Sequence, residues 1–339
     1  MRYSRVFLAA SAVAMVAVSG LYYALFRYQF GAPIPASYDV SYWITWKEYL
    51  AERAATRGRV LIIGDSSSLF GMDSSVAEKE LGRPVVNMSL HGGLPLDWLT
   101  TFAEKNAKPG DVVVMPLAWY YYWRDYKVPE DWMVDQIVAW DHGYFDGSSL
   151  AQKTRYIAAI KPTAFFRNII AKEDRDAIYR QFPARKLMND DKVISDLEGA
   201  QDAAPNPMQY DFRNLNRFGD MRGACGNART VGGSITVSRV NLREKDLLVR
   251  TNKTLKERGV RLILMPAPTI EDPASLDANY SASLDGILSL MREAGIEIAG
   301  KARDFYFPRN AFYDTNFHLN CEYAVEHTSR MVEALRPAL

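Results

Sequence analysis

The sequence predicts an α/β fold built around a central parallel sheet. Short apolar runs bounded by turn residues alternate with helical patterns in the first third of the chain, and the same alternation resumes near the C-terminus. A strand–helix repeat of this kind favours parallel strands joined by crossover helices. The predicted strands end at Ile63 and cover residues 84–90, 112–117, 260–266 and 296–299.

Helical patterns lie before and between these strands. The turn sequence Lys-Pro-Gly-Asp at 108–111 ends one helical pattern just ahead of a strand. The predicted helices cover residues 42–56, 74–81, 95–106, 242–258, 281–294 and 319–335.

The alternation breaks off after Ala118. An aromatic run at 119–123 fits no strand pattern, helical stretches follow to about residue 182, and residues 189–234 are polar and rich in Gly, Asn, Asp and Arg. A stretch of this length without sheet elements predicts an insertion at about 119–240 within a domain of residues 37–339, and the insertion is placed to cover a crevice.

Composition excludes several classes of protein. The chain has 339 residues, 48% of them hydrophobic, so it can bury a sizeable core. A net charge of +1 and the lack of a dense basic block argue against nucleic-acid binding. No Cys or His cluster has metal-ligand spacing, and Gly219 and Gly223 match no phosphate-binding motif, so neither a metal nor a cofactor is predicted.

The N-terminus predicts a membrane anchor. Arg2 and Arg5 precede residues 6–26, an uncharged run of roughly 21 residues that is long enough to span a bilayer. Tyrosines at 22, 23 and 28 suit the membrane interface, and a stiff spacer follows at 31–36, so residues 1–36 form the predicted anchor and spacer. The alternative is a cleaved signal peptide with small residues at 14–20. Either one exports the remainder of the chain.

Two cysteines, Cys225 and Cys321, suit an oxidising compartment. They are able to form a disulfide that closes a long loop. Two unpaired buried thiols are the alternative, and the sequence does not decide between them.

A candidate nucleophile stands where the first predicted strand ends. Arg59 and the apolar residues 60–63 are followed by Gly64-Asp65-Ser66, and Gly71 comes five positions after the serine. Ligands bind at the carboxyl edge of open α/β sheets, so the Ser66 hydroxyl would face that crevice with backbone N–H groups nearby. The alternative is that Asp65 and the three serines at 66–68 only cap a helix.

A serine nucleophile needs a base, and His318 is the best placed of the four histidines. It stands just before the final predicted helix, with Asp314 four residues upstream. A carboxylate that holds the imidazole through its Nδ1 hydrogen stabilises the charged ring during proton transfer. The alternative for His318 alone is a capping or partly buried histidine; the upstream Gly-Asp-Ser turn favours the catalytic role.

Together these segments resemble the SGNH (GDSL-type) hydrolase superfamily. The Gly-Asp-Ser turn with Gly71 resembles its first block, and the Asp314/His318 pair resembles its last block. The resemblance implies a flavodoxin-like three-layer sandwich in which Ser66 is the nucleophile, His318 the base and Asp314 its orienter. It also implies an oxyanion hole formed by the backbone N–H groups of Ser66 and Ser89.

Three departures from the family pattern are visible. The third block normally supplies an asparagine after the third strand, but residues 114–120 read VMPLAWY. Ser89 occupies the expected place of the second-block glycine, where a backbone donor still suffices. The aspartate lies four residues before His318 rather than the more usual three, so the loop must take a different shape.

These departures resemble a branch of membrane-anchored proteins that includes the alginate O-acetylation proteins and the D-alanyl transfer protein of teichoic acid synthesis. The resemblance implies a single-pass protein of the inner (cytoplasmic) membrane with a periplasmic acyltransferase or esterase domain. Its substrates would be acyl esters, acetyl foremost, of an envelope polysaccharide, and its partner a membrane-bound O-acyltransferase. The alternative is a non-catalytic polysaccharide-binding or assembly subunit.

Further residues are candidates for substrate binding. His91 follows the predicted oxyanion turn, and Trp119 and Tyr120 follow the third strand, where aromatic faces suit sugar rings. The alternative for all three is packing. A cluster of polar and basic residues in the predicted insertion is suited to binding an anionic polymer. The alternative is that these residues form a solvated loop face. They are Arg213, Asn214, Asn216, Arg217 and Arg222.

Overall fold

The computed structural model describes residues 2–32, 34–54, 58–174, 188–206, 210–235 and 239–339. The chain forms two compact units. Unit 1 comprises Met1–Tyr38 and Lys127–Leu187, and unit 2 comprises Asp39–Tyr126 and Met188–Leu339. The division at residue 36 predicted from the sequence is therefore not the one observed. Part of the predicted insertion forms a unit with the N-terminal segment, and the rest belongs to the unit that contains the sheet.

Unit 2 contains the predicted parallel sheet. It has five strands in the order β2-β1-β3-β4-β6, every pair of neighbours is parallel, and Val60 of β1 aligns with Val85 of β2 and Val112 of β3. A second, two-stranded parallel pair joins β5 and β7. The strands are β1 (Val60–Ile62), β2 (Val85–Asn87), β3 (Val112–Leu117), β4 (Arg261–Pro266), β5 (Thr269–Glu271), β6 (Glu297–Ile298) and β7 (Tyr306–Pro308).

The helices of the chain follow the predicted alternation, with shifts of a few residues at their ends. The last one begins at Cys321 rather than residue 319, because the Asn320 side chain caps it by accepting from the Tyr323 N–H. The helices that lie in unit 2, or begin just before its first residue, are α2 (Pro35–Arg53), α3 (Ser66–Phe70), α4 (Ser74–Leu81), α5 (Leu96–Asn106), α10 (Asp190–Gly199), α11 (Leu242–Glu257), α12 (Ala278–Glu293) and α13 (Cys321–Leu335).

The aromatic run after β3 forms a short 3₁₀ helix, Trp119–Tyr122, in which three of the four side chains are buried. Helix α2 begins at Pro35, a residue suited to the first turn of a helix, so the predicted spacer is shorter than expected. The helical pattern predicted to reach residue 182 is observed as far as Glu173; residues 175–187 lie outside the described part of the chain.

The sheet is held at its amino edge by a buried ion pair. The side chains of Arg59, which precedes β1, and Asp111, which precedes β3, are both fully buried and hydrogen-bonded to each other. Removing one partner of such a pair leaves an uncompensated buried charge, at a cost of about 3–5 kcal/mol. This pair joins the starts of β1 and β3 at the edge opposite the one where the Gly-Asp-Ser turn lies.

Unit 1 is helical. It contains α1 (Arg2–Tyr28), α6 (Asp131–Ala139), α7 (His142–Gly147), α8 (Leu150–Ala159) and α9 (Pro162–Glu173). The far end of α1 belongs to the core of this unit, because Phe26 is fully buried against Phe30 and Phe145. The preceding part of α1 is exposed, and it is long and apolar enough either to cross a membrane or to serve as a signal sequence.

Candidate active site

The Gly-Asp-Ser turn lies at the carboxyl end of β1. Asp65 caps α3: its Oδ1 accepts from the Ser67 N–H and its Oδ2 accepts from the Ala118 N–H, both at 2.8 Å. Since Ala118 directly follows β3, this carboxyl ties together the ends of two adjacent strands. Burial raises the pKa of Asp65, an effect that the two N–H groups and nearby His318 only partly offset. Ser66 is then the first residue of α3 and is half-buried.

Gly71 ends α3 for steric reasons. A Cβ added at this position would lie 2.5 Å from the Ser67 carbonyl oxygen, so only glycine permits this backbone approach. The Gly71 carbonyl also accepts a hydrogen bond from His327 Nδ1 at 2.6 Å. The five-residue interval between Ser66 and Gly71 therefore sets the length of the helix that carries the serine and fixes its end against α13.

The loop of residues 313–318, called the histidine loop below, brings Asp314 and His318 together. His318 Nδ1 lies 2.7 Å from Asp314 Oδ1, and the histidine is 5% exposed. The loop closes like a hairpin, with the Tyr313 N–H donating to the His318 carbonyl at 2.8 Å, which accommodates the four-residue spacing. Burial raises the pKa of Asp314, but hydrogen bonds from His318 and Tyr210, together with the charge on His318, outweigh burial and lower it. The carboxylate is thus held ionised beside the imidazole.

The imidazole lies over α3. The rings of His318 and Phe70 are stacked with centroids 4.4 Å apart. Phe70 is four residues after Ser66 and so shares its helix face, and helical side chains lean toward the N-terminus. The imidazole therefore lies against the end of α3, on the side of the helix that Phe70 shares with Ser66.

Ser66 Oγ and His318 Nε2 keep their hydrogen-bonding capacity within the described part of the chain. Among the described residues, none is hydrogen-bonded to Ser66 Oγ or to His318 Nε2, and the two atoms are not hydrogen-bonded to each other. Catalytic hydrogen bonds are often long without substrate and tighten when it binds. Both groups therefore remain available to a substrate.

Tyr210 is a site residue that the sequence did not reveal. Its hydroxyl donates to Asp314 Oδ2 at 2.9 Å and lies 3.3 Å from His318 Nδ1, while its ring contacts Phe70 and His318. Burial, followed by the charge of Asp314, raises the pKa of Tyr210, so the hydroxyl stays protonated and remains a donor. The tyrosine is 104 residues from Asp314 in sequence and stands in a polar loop, so no local pattern marks it.

We expect Tyr210→Phe to lower kcat for ester turnover about tenfold, because a hydrogen bond to a charged group is lost while ring packing is kept. KM should stay close to the wild-type value, and the pH dependence of kcat should shift. Tyr323→Phe is the matched control, since its hydroxyl only accepts a 3.5 Å hydrogen bond from Asn310. Equal kcat values in the two variants would assign Tyr210 to packing alone.

The backbone N–H of Ser89, predicted as an oxyanion donor, already has a partner. Ser89 is fully buried and its N–H donates to Asn87 Oδ1 at 3.0 Å. Further along this segment, a Cβ at Gly92 would lie 2.0 Å from the Tyr120 hydroxyl and 3.9 Å from the Asp65 Cβ. Gly92 therefore packs against Tyr120 beside the Gly-Asp-Ser turn, where a side chain would collide with the tyrosine.

A buried polar network supports α3 from behind. Lys47 Nζ is fully buried and donates to the carbonyl oxygens of Asn87 and Gly219, each at 2.7 Å. Asn87 Nδ2 in turn donates to the Ser68 carbonyl and to Asp220 Oδ1, each at 2.9 Å. Burial lowers the pKa of Lys47 to about 7, and the nearby Asp220 charge opposes that shift. The network fastens α2 and β2 to the serine helix.

The predicted substrate-binding residues have different surroundings. Tyr120 is half-buried with its ring edge-on to Phe317, at 5.4 Å between centroids, so it lies beside the histidine loop. His91 Nδ1 accepts from the Gly93 N–H at 2.9 Å and so stabilises its own turn. Trp119 is 3% exposed and its Nε1 donates to Thr269, so it packs against β5 instead of offering a face to a sugar.

Arginines of the predicted polymer-binding group serve mainly internal contacts. Arg213 forms an ion pair with Asp211, and the Arg222 guanidinium donates to the carbonyl oxygens of Ala200 and Gln201. Arg217 is exposed, with its guanidinium carbon 5.2 Å from the centre of the Phe218 ring.

A disulfide joins Cys225 to Cys321, which opens α13 three residues after His318. The adjoining backbone runs along the histidine loop, because the Ala228 N–H donates to the Tyr313 carbonyl at 2.7 Å. The segment that contains Cys225 is therefore fastened to the loop that carries Asp314 and His318.

We expect the double variant Cys225→Ser/Cys321→Ser to lose about 4–5 kcal/mol of unfolding free energy, because the cross-link no longer restricts the unfolded chain. The bond closes a loop with a sequence separation of 96, which makes this entropic effect large. Urea unfolding of the full chain in detergent, compared with reduced wild-type protein, measures the loss. Unchanged unfolding in both cases would show that the bond does not contribute to stability.

The burial of His327 predicts that the stability of the folded protein depends on pH. Burial lowers its pKa from 6.5 to about 4 in the folded protein. Between pH 4 and pH 6.5 the unfolded chain binds more protons than the folded protein does. The contribution of His327 to the free energy of unfolding is therefore present above pH 6.5 and is lost as the pH falls toward 4. Unfolding at pH 5 should therefore cost about 2 kcal/mol less than at pH 7. His327→Gln should remove that part of the difference; the same slope in the variant would refute this origin.

No group of three or more His, Cys, Asp or Glu side chains suited to a metal ion occurs within the described ranges of the chain. No protein-family model matches the sequence, and no curated protein or solved structure is significantly similar to it.

Proposed function

We propose that the protein is a membrane-anchored, extracytoplasmic SGNH-like acyltransferase or esterase. The observation that carries this proposal is the Asp314–His318 pair stacked on the helix that begins with Ser66. An ionised carboxylate, an imidazole with an open Nε2 and a serine at a helix N-terminus at the carboxyl edge of a parallel sheet are the components of serine acyl transfer.

The sheet topology supports a flavodoxin-like three-layer sandwich. Strand β5 belongs to the small second sheet. When only the five strands of the large sheet are numbered in chain order, their order across the sheet is 2-1-3-4-5, which is the flavodoxin-like order. In that order the chain reverses direction across the sheet between β1 and β3, and Asp65 bonds to the residue after β3 at this switch point. Ligands of doubly wound folds bind at the same place.

The proposed reaction has two steps. Ser66 Oγ attacks the acyl carbonyl carbon while His318 Nε2 takes its proton, and Asp314 stabilises the imidazolium through Nδ1–H. The backbone N–H groups of Ser66 and Gly92 are proposed to hold the oxyanion, and each such donor contributes about 3–4 kcal/mol to transition-state stabilisation. The ester C–O bond then breaks, and the imidazolium gives its proton to the departing oxygen.

The acyl-serine formed in the first step is released by the reverse sequence. An acceptor hydroxyl attacks the acyl carbon, His318 takes the acceptor's proton, and the Ser66 oxygen departs and is reprotonated. A sugar hydroxyl as acceptor gives transfer, and water gives hydrolysis. We propose an envelope polysaccharide as the polymer and acetyl as the group, with a membrane-bound O-acyltransferase as donor partner. Helix α1 supports the membrane location.

The alternative is a non-catalytic polysaccharide-binding or assembly subunit. The missing asparagine after β3 favours it, since a side-chain oxyanion donor is replaced by Ala118, Trp119 and Tyr120.

Incubation of the full chain with a chromogenic acetyl ester, with and without a soluble oligosaccharide acceptor, separates the two functions. The enzyme releases chromophore, and a transferase also acetylates the oligosaccharide. Binding of polysaccharide without any chromophore release would favour the assembly subunit.

A further inference from the structure

Helix α9 of unit 1 presents two large apolar side chains outward. Phe166 is 62% exposed and Ile170 is 69% exposed, and their four-residue spacing places them on the same side of the helix. The opposite side is buried through Phe165, Asn168 and Ala171. The helix is thus apolar on two sides, and only one of them faces the core of its own unit.

Helix α9 lies alongside the end of α1 and runs in the same direction. The Phe165 ring stacks on Tyr22 with centroids 5.0 Å apart, and further along both helices Lys172 Nζ donates to the Phe30 carbonyl at 2.7 Å. The first turns of α9 are therefore level with the part of α1 that is still apolar, and its last turn is level with the residues after α1.

The length of α1 gives the depth of these contacts. Residues 6–26 rise about 1.5 Å each and so cross about 30 Å, the thickness of a hydrocarbon core. Tyr22 lies one turn before the end of this run, near the outer edge of that core where tyrosines are favoured, and Phe165 lies beside it. The first charge after the apolar run, Arg27, forms an ion pair with Asp146 of α7, as expected just outside the core.

We propose that α9 is a second membrane contact, with Phe166 and Ile170 inserted into the outer lipid interface beside α1. This placement rests on the membrane anchor proposed above and is independent of the chemistry at Ser66. Apolar faces of interfacial helices are buried about 5–10 Å into the boundary between headgroups and acyl chains, which is the depth reached here.

The chemistry around the pair fits lipid. Arg167 is exposed next to Phe166, and a long cationic side chain at this depth reaches headgroup phosphates. Two side chains form a patch far below the area of a stable protein–protein interface. The patch also continues from α1, whose exposed apolar surface already requires lipid in the anchored protein. The contact would fix the tilt of unit 1 against the bilayer.

The experiment uses the full chain in lipid nanodiscs. Both native cysteines are bonded, so one introduced cysteine is the sole free thiol for an environment-sensitive fluorophore. The labelled variants are Phe166→Cys, Ile170→Cys and Glu173→Cys. Glu173 is exposed and seven residues after Phe166, so it points in nearly the same direction about 10 Å further along the helix. It serves as the matched control.

A quencher on the lipid acyl chains should reduce emission most at position 166, less at 170 and least at 173, and aqueous iodide should quench in the reverse order. Equal iodide quenching at all three positions with no lipid quenching would overturn the proposal. Protection from both quenchers at 166 and 170 would also overturn it, because a protein would then cover the face.

A label at Val13→Cys tests the anchor separately. Strong lipid quenching there is expected in every case if α1 spans the bilayer. Lipid quenching at 13 but not at 166 would reject the α9 contact and keep the anchor. Loss of lipid quenching at 13 would reject both, while ester turnover by the same sample would still report on the proposed catalytic function.

Discussion

Replacing Ser66 with alanine is expected to lower kcat for acetyl ester turnover by about 10⁴-fold or more while the protein stays folded. The hydroxyl stands at the start of α3, and the imidazole of His318 stacks on Phe70 of the same helix, on the side that Phe70 shares with Ser66. Without it no acyl intermediate forms, and the remaining oxyanion donors act only on direct attack by water. Steady-state kinetics with the chromogenic ester measure the effect.

Ser67→Ala is the matched control for this variant. Ser67 is the next residue of the same helix, and its side chain is fully buried beside the Asp65 carboxyl. Its removal should leave kcat within a factor of about two, because the Ser67 backbone N–H still donates to Asp65 and keeps the start of the helix in place. Turnover by Ser66→Ala at the level of Ser67→Ala would show that another residue is the nucleophile.

Replacing Asp314 with asparagine is expected to lower kcat by about 10²–10⁴-fold. The carboxylate accepts the Nδ1–H of His318, which leaves Nε2 free to take the serine proton. An amide in the same place can donate to Nδ1, and the imidazole then carries its proton on Nε2 and is no longer a base toward Ser66. The loss should appear in kcat with little change in KM, because the substrate does not touch this carboxylate.

Asp277→Asn is the control for the carboxylate-to-amide change. Asp277 caps α12 by accepting from the Asn279 N–H, and asparagine is an equally good cap. Its kcat should match that of the wild type. An Asp314→Asn enzyme as active as this control would mean that the pair with His318 is structural.

The central strands of the sheet could be predicted from the sequence because their buried parts are short continuous apolar runs. All six side chains of β3 are buried, and a strand buried on both faces leaves no polar position to obscure the pattern. The pairing of Asp314 with His318 could be predicted for a similar reason. The two residues are four apart, so one short loop brings them together.

Tyr210 and Gly92 could not be predicted. Tyr210 reaches Asp314 across 104 residues through the folding of a polar loop, and the sequence carries no periodicity there. Ser89 stood at the expected distance after β2, but the Asn87 side chain accepts its N–H, and the glycine of this segment that packs beside the Gly-Asp-Ser turn is Gly92, against the Tyr120 hydroxyl. Contacts of this kind depend on side-chain competition, which a motif does not record.

The organisation of unit 1 could not be predicted from the sequence either. The sequence separates the N-terminal helix from residues 127–187 by a whole β-α-β segment, yet Phe26 is buried against Phe145. Each segment carries apolar positions of its own, and nothing in either one identifies the other as its partner. Long-range pairing of helices is set by the shape of the packed side chains, not by a local signal.

The central claim is that Ser66 and His318 act on the same acyl group. The most direct measurement is reaction of the full chain with a fluorophosphonate, followed by peptide mapping by mass spectrometry. We expect one adduct, on Ser66, and we expect its rate of formation to fall at least about 10³-fold in His318→Asn, because the base is gone. An adduct elsewhere, or labelling of Ser66 at an unchanged rate in His318→Asn, would contradict the account.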